Sequence, residues 1–341
     1  MSFIAAATRF AERAPLPDAL SKFGVAALVD RASRSLSTPS GTSEVEFARD
    51  MDLFPVAQHV SAANRQHYEV PADFFALALG PQRKYSCCLY PTGKETLAGA
   101  ETLALEATIE HADLSDGHEI LELGCGWGSL SLFMAERFPA ARITAVSNSA
   151  SQRRAIEHAA AERRLGNLRV LTADMNDFAP GQVYDRVVSV EMFEHMSNWR
   201  ELLARIRSWL TTDGRLFVHV FTHRSKPYRF DHGDEADWIA QHFFTGGIMP
   251  SHGLINRFPE FFAVEQDWRW SGSHYQRTAL DWLDNFDANR TAIDPILAAV
   301  YGADADLWRR RWRLFFLATA GLFGHAGGEE WGVSHYRLRP T

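Results

Sequence analysis

The stretch Ile120-Leu-Glu-Leu-Gly-Cys-Gly-Trp-Gly128 decides how the rest of this chain is read. A short apolar run meets three glycines at alternate positions, and Ser129-Leu-Ser-Leu-Phe-Met-Ala135 follows at helical spacing. That is a strand turning into a helix, with glycines letting the backbone approach a ligand and the helix start offering unpaired N–H groups. The longer Gly-x-Gly-x-x-Gly pattern of dinucleotide sites is missing, and Glu122 stands two residues before the first glycine. Both details lean away from a pyrophosphate-bearing cofactor. S-adenosylmethionine, which carries an amino acid and a ribose but no pyrophosphate, suits such a turn. Taken alone, the turn leaves three readings open: a methyl donor, a dinucleotide, or a purely structural feature.

Outward from the turn, apolar runs alternate with helical stretches, the pattern of a parallel sheet built from βαβ units. The expected strands are 119–123, 142–146, 168–172, 186–190 and 215–220, with later ones at 262–270 and 331–338. Leu97 to His111 repeats apolar residues at helical spacing and should form an amphipathic helix ahead of the core. Asn198 to Leu210 should be another helix, ended by Thr211-Thr-Asp-Gly214 with Gly214 in a left-handed cap. Ser33 to Ser43 reads as a loop. The expected fold is thus a doubly wound α/β sheet of the Rossmann-like class I methyltransferase type. It has a helical N-terminal extension (1–60), a cofactor-binding core (61–224), and a last part (225–341) whose insertions lie over the carboxyl ends of the strands as lids.

Composition narrows the function classes. The chain has 341 residues, 46% apolar and 23% charged, as in ordinary folded proteins. A net charge of −7 argues against general attraction to nucleic acid. No apolar run is long enough to span a membrane. Met1–Ala14 lacks the ordered regions of a secretory signal, so the expected location is the cytoplasm. Three cysteines, two of them adjacent, and fourteen scattered histidines form no metal spacing. Ten tryptophans, crowded towards the C-terminus, read first as core packing.

Candidate site residues follow from the strand ends. Ser147, Asn148 and Gln152 follow the second strand and could meet ribose hydroxyls, although serines there also serve as helix caps. Asp174, after the third strand, could accept from an adenine amino group. Ser189-Val-Glu-Met-Phe-Glu-His-Met196 brings Glu191, Glu194 and His195 to the carboxyl edge of the sheet. If that stretch turns helically, Glu191 lies near both others. Methyl transfer needs the acceptor positioned and its proton managed; an imidazole suits the base, and carboxylates can hold an ammonium. A protein that only senses the donor would need an inert acceptor site, against which this Glu/His cluster argues.

With these residues assembled, the chain resembles the coclaurine N-methyltransferase group within the cyclopropane-fatty-acid-synthase-like family. The resemblance is carried by Lys84-Tyr-Ser-Cys-Cys88, Leu121-Glu-Leu-Gly-Cys-Gly-Trp-Gly128, Ser147-Asn-Ser-x-x-Gln152, Glu191-Met-Phe-Glu-His-Met196, Ser271-Gly-Ser-His-Tyr275 and Gly328-Glu-Glu-Trp331, from about His67 onward. It implies that Tyr85 and Ser86 touch the methionine part of the donor, Gly124 and Gly126 its backbone-facing side, and Ser147 with Gln152 its ribose. It implies that Glu191, Glu194 and His195 serve an acceptor amine, and that the protein is a homodimer. In the cyclopropane synthases a bicarbonate acts as base; Cys87, Glu194, His219 and Tyr275 stand at the places that hold it. The expected function is N-methylation of a small, aromatic or cyclic amine. The alternative is methylene or methyl transfer to an unsaturated acyl chain, with only transient lipid contact.

Overall fold

The structure is a computed structural model that describes residues 10–14, 16–38, 42–58, 70–234 and 237–341. The start of the family likeness at His67 and most of the Met1–Ala14 segment lie outside the described residues. Helices α1 (Asp18–Leu36), α2 (Glu44–Asp50), α3 (Ala72–Ala78) and α4 (Leu97–His111) precede the sheet. The expected loop from Ser33 is helical up to Leu36, because α1 continues against a late helix of the chain; Ser43 then caps α2 through a reciprocal bond with Glu46. Helix α4 has the expected bounds and starts at Thr96, whose side chain accepts from the Gly99 amide at 3.2 Å.

The core then alternates: β1 (Glu119–Leu123), α5 (Ser129–Arg137), β2 (Arg142–Ser147), α6 (Ala150–Glu162), β3 (Leu168–Thr172), β4 (Tyr184–Val190), α7 (Trp199–Trp209) and β5 (Leu210–His223). A ribbon of β6 (Tyr228–Arg229) and β7 (Ile248–Met249), with the short α8 (Trp238–His242) between them, forms the first insertion. After β8 (Phe262–Ser271) come α9 (Gly272–Ala288), α10 (Arg290–Tyr301) and α11 (Ala305–Gly324), and β9 (Trp331–Pro340) ends the chain. The seven-stranded sheet runs β3-β2-β1-β4-β5-β9-β8, with β1 to β5 parallel and β9 antiparallel to both neighbours. Ile120, Leu121 and Leu123 are buried, as parallel strands covered on both faces require.

Helix α7 corrects one expectation. Asn198 caps it, accepting from the Glu201 amide at 3.0 Å, and Trp199, Leu202, Leu203, Ile206 and Trp209 are buried. It stops one residue early, because Leu210 already pairs with Tyr184 of β4. Gly214 is not among the left-handed glycines; it belongs to β5.

The second insertion starts at Gly272, directly after β8, and leaves the sheet without a loop. Its two ends are neighbours: Ser271 pairs with Gly332 across β8 and β9, and the Ser271 hydroxyl donates to the Gly328 carbonyl at 3.4 Å. At Gly272 there is no room for a Cβ between the carbonyl oxygens of Phe323 and Trp331. The late tryptophans pack this helical layer onto the core. Trp282, Trp312 and Trp331 are fully buried, and Phe74 meets Trp312, as Phe75 meets Trp127, with ring centroids 4.8 Å apart.

Candidate active site

Two adjoining cavities, about 890 and 700 Å³ with their mouths included, open at the carboxyl ends of β1, β2, β3 and β4. They share Gly124, Gly126, Gln152, Glu191 and His195 as walls. Tyr85, Ser86, Glu122 and Tyr275 line the first, whereas Ser147, Asn148 and Asp174 line the second. The sequence therefore named residues that the fold gathers around one space.

The three turn glycines have different surroundings. All have positive φ: +80° at Gly124, +52° at Gly126 and +82° at Gly128. A Cβ on Gly124 would lie 2.8 Å from Met192 Cβ, and one on Gly128 would lie 2.6 Å from Ile156 Cγ1. A Cβ on Gly126 meets nothing within 4 Å, so this glycine faces the cavity. Behind the turn, Glu122 is buried and accepts from Ser131 Oγ at 2.5 Å. Burial pushes its carboxyl up to about 7 against the opposing pull of that bond.

After β2, Ser147 Oγ donates to Gln152 Oε1 at 2.6 Å and accepts from the Ser149 amide at 3.0 Å. Ser149, not Ser147, caps α6. Gln152 Nε2 is buried with no hydrogen-bond partner among the described residues. A buried donor in this state is costly unless a ligand accepts from it. Asp174 is half-buried and accepts from the Asn176 amide at 2.8 Å.

Glu191 is not in a helical turn. It sits at φ +47°, and only Phe193–His195 forms a single 3₁₀ turn after it. Its amide donates to the His219 carbonyl at 2.8 Å. Its carboxylate is enclosed: Oε1 accepts from the Cys87 amide at 2.9 Å and meets His219 Nε2 at 3.2 Å, while Oε2 accepts from the Tyr275 hydroxyl at 2.6 Å. Burial raises its pKa, and Lys84, the Cys87 amide, Tyr275 and His195 oppose that rise. Glu194 is buried, and its Oε2 has no partner among the described residues. Burial and then the charge of Glu191 push its carboxyl well above the usual range. The His195 ring stacks parallel to Phe244 at 5.2 Å and faces both cavities.

Three of the four places expected around a bicarbonate, Cys87, His219 and Tyr275, thus converge on the carboxylate of Glu191, and none of them bonds Glu194. A planar O–C–O group of the chain itself fills the position, so a bicarbonate does not fit. Cys87 reaches Glu191 through its backbone N–H, while its thiol points to the Cys88 carbonyl at 3.3 Å and burial raises the thiol pKa well above the usual value.

One residue was missed. Lys84 is buried, donating from Nζ to Ser86 Oγ at 2.5 Å and to the Cys87 carbonyl at 2.7 Å, and it supplies positive charge beside Glu191. A lysine inside a tight Lys-Tyr-Ser-Cys-Cys run was the available signal. Glu101 fixes the same loop by accepting from the Gln82 and Lys84 amides at 2.8 and 3.0 Å.

Comparison with known proteins agrees with this architecture. The family described as Mycolic acid cyclopropane synthetase matches residues 57–326. The chain is 38% identical to an (S)-coclaurine N-methyltransferase of Thalictrum flavum subsp. glaucum, over 85% of this chain and 82% of that one. It is 34% identical to an (S)-coclaurine N-methyltransferase of Papaver somniferum, over 86% and 87% of the two chains. A solved coclaurine N-methyltransferase bound to N-methylheliamine and S-adenosylhomocysteine superposes with a TM-score of 0.95 at 31% identity, over 99% of this chain and all of that one. Fold, donor cavity and these likenesses together make the chain a member of the Mycolic acid cyclopropane synthetase family and an S-adenosylmethionine-dependent methyltransferase.

Proposed function

We propose that this enzyme methylates the nitrogen of a small cyclic amine carrying aromatic surface. The observation that carries the proposal is the enclosed Glu191 carboxylate, a fixed proton acceptor at the place where the acyl-chain chemistry needs a free anion. The names of the relatives and the N-methylated ligand of the solved relative support the same class of acceptor.

Residues 61–224 hold the donor in this reading and 225–341 enclose the acceptor. Tyr85 and Ser86 hold the methionine part, Gly124 and Gly126 allow close backbone approach, and Glu122 shapes the base of the turn. Ser147, Asn148 and Gln152 serve the ribose, with Gln152 Nε2 as the waiting donor, and Asp174 serves the adenine. The bound donor supplies an electrophilic methyl group on sulfur. Trp282, Phe315 and Phe244 give the acceptor flat apolar walls that also favour a cation. Glu191 takes the ammonium proton with His195 beside it, and a Glu194 carboxyl oxygen accepts from an N–H of the ammonium and orients it. The enzyme works in the cytoplasm as a homodimer; exposed Leu20, Phe23 and Leu28 on α1 support a self-association face, which light scattering would test.

The test is a panel of cyclic amines, led by heliamine, and an unsaturated phospholipid, with a donor whose methyl is trideuterated. N-methylation moves the methyl intact, so the amine product keeps three deuteriums and the lipid is unchanged. Ring closure would leave two in a cyclopropane, and that product would overturn the proposal.

A further inference from the structure

The start of the described chain reaches the lids that enclose the acceptor. Residues 10–13 form one helical turn, and within it Glu12 is buried. A carboxylate in such a place must be met by donors. Its Oε2 accepts from Arg311 Nε of α11 at 2.9 Å and from the Trp238 indole N–H of α8 at 3.1 Å, while Arg310 Nε donates to its backbone carbonyl at 2.8 Å. Burial pushes the carboxyl up, but the Arg311 and Trp238 bonds outweigh it and hold the group below the usual carboxylate range. His242, with Nε2 3.7 Å from the same oxygen, is pushed down to about 4 by burial and by Arg311, so Arg311 is the cation of the cluster. One oxygen atom thus joins the first insertion to the second.

Both contacts lead to walls of the acceptor cavity. Helix α8 has five residues, too few to hold itself in place, so its partners set its position. Trp238 packs on Phe243 with ring centroids 5.5 Å apart, and Phe243 stacks on Phe315 at 4.4 Å. Phe244, whose N–H donates to the Ile239 carbonyl of α8 at 2.9 Å, lines the cavity together with Phe315 and stacks on His195. We propose that Glu12 is a positioning residue for the acceptor: by fastening α8 to α11 it sets the spacing of Phe244 and Phe315, and so the seat for the acceptor's aromatic surface. The proposal rests on those rings receiving the acceptor, as argued above. Without the carboxylate, Arg311 loses its counter-charge and the Trp238 N–H its acceptor, and α8 is no longer held to α11. None of Glu12, Arg311 and Trp238 lines either cavity, so the effect is indirect and leaves the hold on the donor untouched. The N-terminal extension thereby belongs to the acceptor half of the enzyme.

The experiment compares Glu12→Ala, which deletes the fastening, with Glu12→Gln, which keeps an oxygen for both donors. Trp238→Phe removes the bond from the α8 side, keeps a ring against Phe243, and serves if Glu12→Ala does not fold. In Glu12→Ala the KM for heliamine should rise about tenfold, the scale of one lost aromatic contact, with kcat and S-adenosylhomocysteine affinity unchanged. Trp238→Phe should move KM in the same direction, and Glu12→Gln should bring it back towards the parent. Piperidine, a cyclic amine without aromatic surface, should bind parent and variants alike, read as its KM or as its inhibition constant against heliamine. A merely structural role would weaken both amines together. An unchanged heliamine KM in Glu12→Ala, or in Trp238→Phe where the alanine variant does not fold, overturns the proposal, as does an equal loss for piperidine. A parent that methylates no aromatic amine defeats the proposed function and this role with it, whereas normal parent turnover beside unmoved variants defeats the role of Glu12 alone.

Discussion

Alanine at each turn glycine should separate folding from donor binding. At Gly126 the φ of +52° lies inside the small left-handed region, so alanine costs about 1 kcal/mol of backbone strain, and its Cβ meets no protein atom within 4 Å. That is a drop in Tm of roughly 2 °C. The new methyl nevertheless occupies the donor's side of the turn, and displacing a closely packed ligand by a methyl costs about 1–3 kcal/mol, roughly 5- to 150-fold in affinity. At Gly128 the strain is joined by a Cβ 2.6 Å from Ile156, so alanine should cost about 2–5 kcal/mol of stability. Calorimetric titration with S-adenosylhomocysteine and scanning calorimetry read the two effects separately. Gly126→Ala with unchanged affinity, or Gly128→Ala as stable as Gly126→Ala, would refute the division of roles.

Three further outcomes follow from the site. Glu191→Gln and His195→Ala should each lower kcat by roughly a hundredfold or more while S-adenosylhomocysteine titration shows retained affinity; normal turnover would make the cluster structural. Tyr275→Phe removes the 2.6 Å bond that favours ionised Glu191, so the acidic limb of the pH–rate profile should move to higher pH; an unmoved limb would separate Tyr275 from the base. Glu122 has a folded pKa of about 7 against an ordinary 4.5, so the stability it contributes is full below 4.5 and lost as pH rises through 7. Glu122→Gln should therefore gain up to about 3 kcal/mol over the parent at pH 8 and nothing near pH 4, by denaturant titration of the free enzyme.

Local rules made much of this legible. The strand-to-helix turn at Gly124–Gly128, the parallel strands and α4 follow from apolar periodicity and caps within a few residues. What failed was decided by distant partners. The end of α7 depends on Leu210 pairing with Tyr184, and the continuation of α1 past Ser33 depends on a helix almost three hundred residues later. Glu191 looked like one member of a helical trio. Its left-handed backbone instead turns the carboxylate towards Cys87, His219 and Tyr275, residues from three other elements.

The pinched base of the second insertion, where Ser271 faces Gly332 and Gly328 abuts Ser271, lets some sixty residues leave and rejoin the sheet at a single rung. Length or sequence can change within α9 to α11 while the ladder below keeps its pairing and the donor turn its shape. Tyr275, Trp282 and Phe315 ride on that excursion, whereas Gly124, Gln152 and Glu191 do not. The excursion is anchored twice, at that rung and again at the cavity, where Tyr275 bonds Glu191 and Trp282 packs on Tyr85, so a helical segment put in its place would have to keep those two ties for the carboxylate and the loop to stay as they are.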